Sequence, residues 1–127
     1  MKDINRIIGE YTSNKRGPLL FITGGMNGNE PSGVIALKKV FKILNDDNVE
    51  IEGTVVGVAG NKEALKNNVR YIDEDLNRTW TKKNIASHVA DSHEKKEMFE
   101  IIEVLKSYKE KEYTKRYFVD CHTTSSA

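Results

Sequence analysis

Three polar clusters in this chain hold the side chains best suited to chemistry. The first is Gly24-Gly25-Met26-Asn27-Gly28-Asn29-Glu30-Pro31-Ser32-Gly33. It has no Gly-Lys-Ser/Thr ending and no Gly-x-Gly-x-x-Gly, so it is not a phosphate loop. Its Gly-Gly and Asn-Gly pairs are ordinary turn dipeptides. Glu30, however, stands at the first turn of the following segment beside glycines that let a ligand approach the backbone. It suits either a helix-dipole partner or a metal ligand. The second cluster, Val119-Asp120-Cys121-His122-Thr123-Thr124, puts an imidazole just past an apolar run. On a regular strand Asp120 points the same way as His122 and can orient its ring. Cys121 then points the other way and reads as core. The third cluster holds Arg70, Asp73, Glu74, Asp75, Asn77 and Arg78. A charge cluster is usually solvated surface, but an arginine fork is also the natural partner of a carboxylate ligand.

These clusters need elements to position them. The apolar run Pro18-Leu19-Leu20-Phe21-Ile22-Thr23 predicts a buried strand ending at Gly24-Gly25. Pro31 suits a helix's first turn, and Val34, Leu37, Val40, Phe41 and Leu44 form a helical stripe that stops at Asn45-Asp46-Asp47-Asn48. Residues 51–59 predict a second buried strand. Residues 61–80 read mostly as ordered loop, with one helical turn at Ala64-Leu65-Lys66 and an edge strand at Val69-Arg70-Tyr71-Ile72 as local options. From Asp91 a helix returns, with Met98, Ile101, Ile102, Leu105 and Tyr108 on one face and capping-box spacing between Asp91 and Glu94. Tyr117-Phe118-Val119-Asp120-Cys121 predicts a third buried strand. The alternation implies an α/β three-layer sandwich, a parallel or mixed sheet with helices on both faces. Ligands of such sheets bind beyond the strands' carboxyl ends, and all three clusters leave those ends.

Composition narrows the function. The 127 residues make one domain, large enough to bury roughly two-thirds of the unfolded surface. Lys and Arg number 20 against 19 Asp and Glu, a net charge of +1, which disfavours a dedicated nucleic-acid binder. No apolar run approaches the ~20 residues of a membrane span. Met1-Lys2-Asp3-Ile4-Asn5-Arg6 carries no signal-peptide pattern, and the single cysteine excludes an internal disulfide. A cytoplasmic protein is expected.

Taken together, the three clusters resemble the succinylglutamate desuccinylase and aspartoacylase family of zinc hydrolases, which are zinc carboxypeptidase-like in fold. The family's Gly-Gly-x-His-Gly-Asn-Glu stands here as Gly24-Gly25-Met26-Asn27-Gly28-Asn29-Glu30. Its middle motif stands as Arg70-Tyr71-Ile72-Asp73-Glu74-Asp75-Leu76-Asn77-Arg78. Its Asp-x-His with a Thr-rich tail stands as Asp120-Cys121-His122-Thr123-Thr124-Ser125. The resemblance spans residues 18–127. It implies zinc as cofactor, with Glu30 and His122 as ligands, and Arg70 as the catalytic group that polarises the scissile carbonyl. It also implies that Asn77 and Arg78 hold the substrate carboxylate and that Asn61 lines the site. The implied substrate is a small-molecule N-acyl amino acid, hydrolysed by metal-activated water. A homo-oligomer is left open, with no nucleic-acid or membrane partner.

Two departures qualify the resemblance. Asn27 replaces a ligand histidine, and a neutral amide is the weaker zinc ligand. The family also continues past this point, with a catalytic glutamate and a C-terminal domain. The resemblance therefore implies that residues 1–127 are one domain forming the N-terminal part of a longer catalytic domain, inactive alone. Asn27 supports a rival reading, a metal-free, non-catalytic carboxylate- or peptide-binding relative. Three ordered motifs weigh against a purely structural domain. His88 and His93, five apart, are not a same-face metal pair and read as solvated helix face, with His93 and Glu97 pairing weakly at the surface. Trp80 reads as packing. Asn77-Arg78-Thr79 matches a glycosylation pattern that has no meaning without a secretory signal.

Overall fold

The computed structural model describes residues 3–123. The Thr124-Ser125 end of the last motif lies outside them. Four strands, β1 (Ile7–Thr12), β2 (Leu19–Gly24), β3 (Thr54–Ala59) and β4 (Arg116–Cys121), form one sheet in the order β1-β3-β2-β4. β2 is parallel to both β3 and β4, whereas β1 is antiparallel to β3. The sheet is therefore mixed. The main helices are α1 (Ser32–Asp46) and α4 (His93–Lys106), with the short α2 (Lys62–Asn67) and α3 (Lys82–Ser87) between them.

Side chains alternate across the sheet, so each strand feeds two cores. Leu19, Phe21, Val56 and Val58 face α4, where they join Met98 and Ile101. Ile22 and Val55 face α1, where they meet Leu37 and Phe41. The result is a three-layer α/β sandwich. Of the α1 stripe, Val40 is exposed and only Val34, Leu37 and Phe41 are buried. Val40 lies at the margin of the stripe, beyond the width of the sheet's cover.

Several expectations change. β1 is an added strand. The edge strand considered at 69–72 does not form, because the amides of Ile72, Asp73 and Glu74 point inward to a carboxylate. The third predicted strand forms as β4, but it is an edge rather than a buried strand. Tyr117, Phe118 and Val119 are 49%, 56% and 45% exposed, because β2 is its only strand partner among the described residues. No helix of the described residues is long and apolar enough to cross a membrane.

Candidate active site

The carboxyl ends of β2 and β4 lie side by side, with Thr23 opposite Asp120 and Gly24 opposite Cys121. The chain must turn sharply after β2 to start α1. Gly25 does this at φ 74°, and Gly24 lies against Gly33 so closely that a Cβ there would sit 2.9 Å from the Gly33 carbonyl carbon. Glycine is required for both the left-handed turn and the close helix–strand approach. The turn continues with the Glu30 amide bonded to the Asn27 carbonyl at 3.1 Å, which delivers Glu30 to the sheet edge with 6% exposure.

There Glu30 meets the end of β4. Its Oε1 accepts from the Thr123 amide at 2.6 Å and the Thr123 hydroxyl at 2.9 Å, and lies 3.6 Å from His122 Nδ1. The far ring nitrogen, Nε2, is 2.6 Å from Asp120 Oδ2. Asp120 Oδ1 in turn accepts from the Thr23 hydroxyl at 2.8 Å. Asp120 thus engages Nε2 and leaves Nδ1 as the ring nitrogen that faces Glu30. Burial raises the Glu30 pKa, but the two Thr123 donors and His122 outweigh it and hold the carboxyl below its ordinary value.

The middle motif forms a second polar group beside this one. A backbone bond from Gly28 to the Arg70 carbonyl, 3.1 Å, ties the two segments together. Asp75 caps the short 3-10 turn Leu76–Arg78 by accepting from the Asn77 amide at 2.9 Å. The same oxygen accepts from the Asn27 side chain at 3.1 Å, while Asp75 Oδ2 lies 3.3 Å from Arg70 Nη2. Asn77 closes the ring by donating to Asn27 Oδ1 at 2.9 Å. Burial raises the Asp75 pKa, yet the Asn77, Asn27 and Arg70 donors carry it below the usual carboxylate range. Arg70 keeps a 45% exposed side chain despite its ion pair. Arg78 is exposed and makes no ion pair among the described residues.

Glu30 and His122 form a donor pair of the right type for a divalent cation. Two bonds of ~2.1 Å at a tetrahedral angle separate donor atoms by about 3.4 Å, close to the 3.6 Å between Nδ1 and Oε1, although that oxygen already accepts both Thr123 hydrogen bonds. A histidine whose second nitrogen is held by a carboxylate is also the usual arrangement around metals. Among the described residues no third His, Cys, Asp or Glu joins them. Asn27 is 2% exposed and uses both amide atoms on Asp75 and Asn77, so all it could offer a metal is the second lone pair of Oδ1.

Three other expectations are corrected. Asn61 does not line an accessible site. It is fully buried, caps α2 through Ala64 and donates to Glu94 at 2.7 Å. Ser92 rather than Asp91 caps α4, by accepting from Lys95, and Asp91 instead pairs with Lys95. His93 is not on a solvated face. Its Nε2 lies 3.2 Å from Asn61 Oδ1 and 3.6 Å from the buried carboxylate of Glu97, which also binds Arg6 at 2.6 Å. His88 stays exposed, and Trp80 packs on the α4 core as expected. Cys121 is half-buried against Gly33. Glu94 escaped sequence reasoning because its partners lie 20–33 residues away, where no local spacing reveals them.

Residues 16–127 match the succinylglutamate desuccinylase/aspartoacylase catalytic domain. The chain is 32% identical over 108 residues to a protein named "Probable aspartoacylase" from Acaryochloris marina, a match covering 83% of this chain and 34% of the relative. It is 30% identical over 108 residues to an N-acyl-aromatic-L-amino acid amidohydrolase (carboxylate-forming) of Xenopus laevis, with the same coverage. Among solved structures, the succinylglutamate desuccinylase of Chromobacterium violaceum superposes with a TM-score of 0.72 at 19% identity, covering 89% of this chain and 35% of that one. The enzyme of the same name from Vibrio cholerae gives 0.70 at 18% identity, covering 88% and 32%. The chain thus spans about a third of the length of these relatives.

Proposed function

Because the chain belongs to the succinylglutamate desuccinylase/aspartoacylase catalytic-domain family, we propose that it supplies an acyl-amino-acid-binding part of a zinc-dependent amide hydrolase. The observation that carries this reading is the Glu30–His122 pair, 3.6 Å apart and oriented by Asp120, beside the loop of Arg70, Asn77 and Arg78. Glu30 and His122 would hold the metal, with Asn27 as a weak third donor. Zinc, when bound, supplies a Lewis acid and a water ionised near pH ~7. The remaining roles belong to the chain itself. Arg78 and Asn77 clamp the substrate carboxylate, since a planar fork matches two oxygens. Arg70, partly exposed and only loosely paired, stabilises charge developing on the scissile carbonyl oxygen. Asp120 keeps the His122 proton on Nε2.

The occupied amide of Asn27 favours a second reading, a carboxylate-binding relative that takes up no metal. Calorimetric titration with Zn²⁺ and with N-acetyl-L-aspartate separates the two. The first reading expects weak zinc binding that Glu30→Gln abolishes, and carboxylate binding that Arg78→Ala weakens. Carboxylate binding without zinc uptake selects the second reading. Absence of both refutes each of them.

A further inference from the structure

Behind the arginine loop lies a carboxylate that no proposed catalytic role uses. Glu94, in the first turn of α4, is fully buried. Its Oε2 accepts from the Ile72 amide at 2.8 Å and from Asn61 Nδ2 at 2.7 Å. Its Oε1 accepts from the Asp73 and Glu74 amides at 2.9 and 3.0 Å. Three successive backbone N–H groups converging on one anion form a nest, and here the anion is an internal side chain. No cation pairs with Glu94 among the described residues, so these four donors carry the whole cost of burying its charge. The nest sits two residues after Arg70 and immediately before Asp75, Leu76, Asn77 and Arg78. Asn61, which links Glu94 to the end of β3, carries the same anchorage back to the sheet.

We propose that Glu94 is the positioning residue of the site: by filling the 72–74 nest, it fixes the backbone from which Arg70, Asp75, Asn77 and Arg78 project. The role of those four side chains rests on the function proposed above, whereas the anchoring itself does not. Burial raises the Glu94 pKa, but the amides of Ile72 and Glu74, the Asn61 side chain and the Asp73 amide outweigh it and keep the group ionised.

Amide hydrogen exchange on the 127-residue chain tests the proposal, with Glu97→Gln as control. Glu97 is also buried, but it binds Arg6 and the Lys62 amide rather than the loop. Glutamine at 94 keeps the volume but offers one acceptor atom where two served. The amides of Ile72, Asp73 and Glu74 should exchange about 10-fold faster or more in Glu94→Gln, with Val56 and Val58 of β3 still protected. The Arg70 and Arg78 side-chain resonances should broaden or shift with them, and Glu97→Gln should leave the loop as it is. An unmoved loop in Glu94→Gln, or equal opening in both variants, overturns the proposal. If Glu94→Gln does not fold, the parent chain alone still decides: loop amides 72–74 that exchange as fast as those of the exposed 88–91 connection would also overturn the proposal, and slower exchange there supports it. Failure of the substrate reading shows separately, as absent N-acetyl-L-aspartate binding by the parent.

Discussion

At residue 27 an amide stands where the family's pattern has an imidazole. The amide is neutral and uses one Oδ1 lone pair on Asn77 while its nitrogen donates to Asp75. Histidine there would offer a stronger nitrogen donor beside Glu30 and His122. Asn27→His should tighten zinc binding about 10-fold or more, the lower end of changes caused even by residues behind the ligands. Equal affinity of the two chains in a zinc titration would mean that residue 27 is no ligand position. The arginines differ in a way their environments explain. Arg78 has no ion pair among the described residues, and its loss should weaken N-acyl amino acid binding by about 10- to 100-fold, the range for charged hydrogen bonds. Arg70 is paired with Asp75 at 3.3 Å, and the function proposed above gives it the developing charge on the scissile carbonyl oxygen. In a catalytically competent protein carrying these residues, Arg70→Ala should lower kcat more than it raises KM. If both variants kept the parent's kcat and KM, the assigned roles would fall.

At the scale of elements, what could be read depended on how local the forces were. β2, β3, α1 and α4 follow from apolar period, because each buries a continuous face. β1 does not. Ile7–Thr12 is short, contains Gly9 and Glu10, and has mostly half-buried or exposed residues, so its pairing with β3 rather than its own pattern makes it a strand. α2 and α3 are six-residue helices fixed by the Asn61 and Thr81 caps, too short for a period to show. The site divides in the same way. Glu30, His122 and Asp120 were legible from their place at strand ends, and Asp120 reaches the ring as strand alternation requires. Glu94 and the buried role of Asn61 depend on contacts between distant segments. That loop anchor also sets an acid sensitivity. The Glu94 carboxyl is held below its ordinary 4.5 and that of Asp75 below 3.8. A depressed folded-state pKa gives stability that is present above the unfolded value and lost as pH falls through the folded one. Thermal stability should therefore decline below about pH 4.5, and the decline should be shallower in Glu94→Gln. Parallel curves for parent and variant would remove Glu94 as the source.

At the scale of the whole molecule, the sheet has two edge strands among the described residues, β1 and β4. β1 pairs only with β3 and β4 only with β2, and on β4 Tyr117, Phe118 and Val119 are about half exposed. Beside that edge a cavity of about 350 Å³ runs between β4 and α4, lined by Phe21, Met26, Trp80, Ile101 and Phe118, with Thr23, Asn77 and Asp120 at its polar end. An apolar edge with unpaired backbone groups is a template for another strand, and proteins usually blunt such edges with charge or proline. Arg116 and Asp120 stand only at the ends of β4, so its middle is unguarded. The 127-residue chain should therefore self-associate as concentration rises, and Val119→Lys should reduce this by putting a charge in the middle of the edge. Sedimentation velocity over a wide concentration range is the measurement. A parent chain that stays monomeric throughout, or a Val119→Lys variant that associates as strongly, would show that the exposed edge is not what drives association. Because His122 and Asp120 sit at the end of this same strand, association through β4 should also restrain the imidazole. The His122 ring resonances should then change with concentration in the parent and not in Val119→Lys.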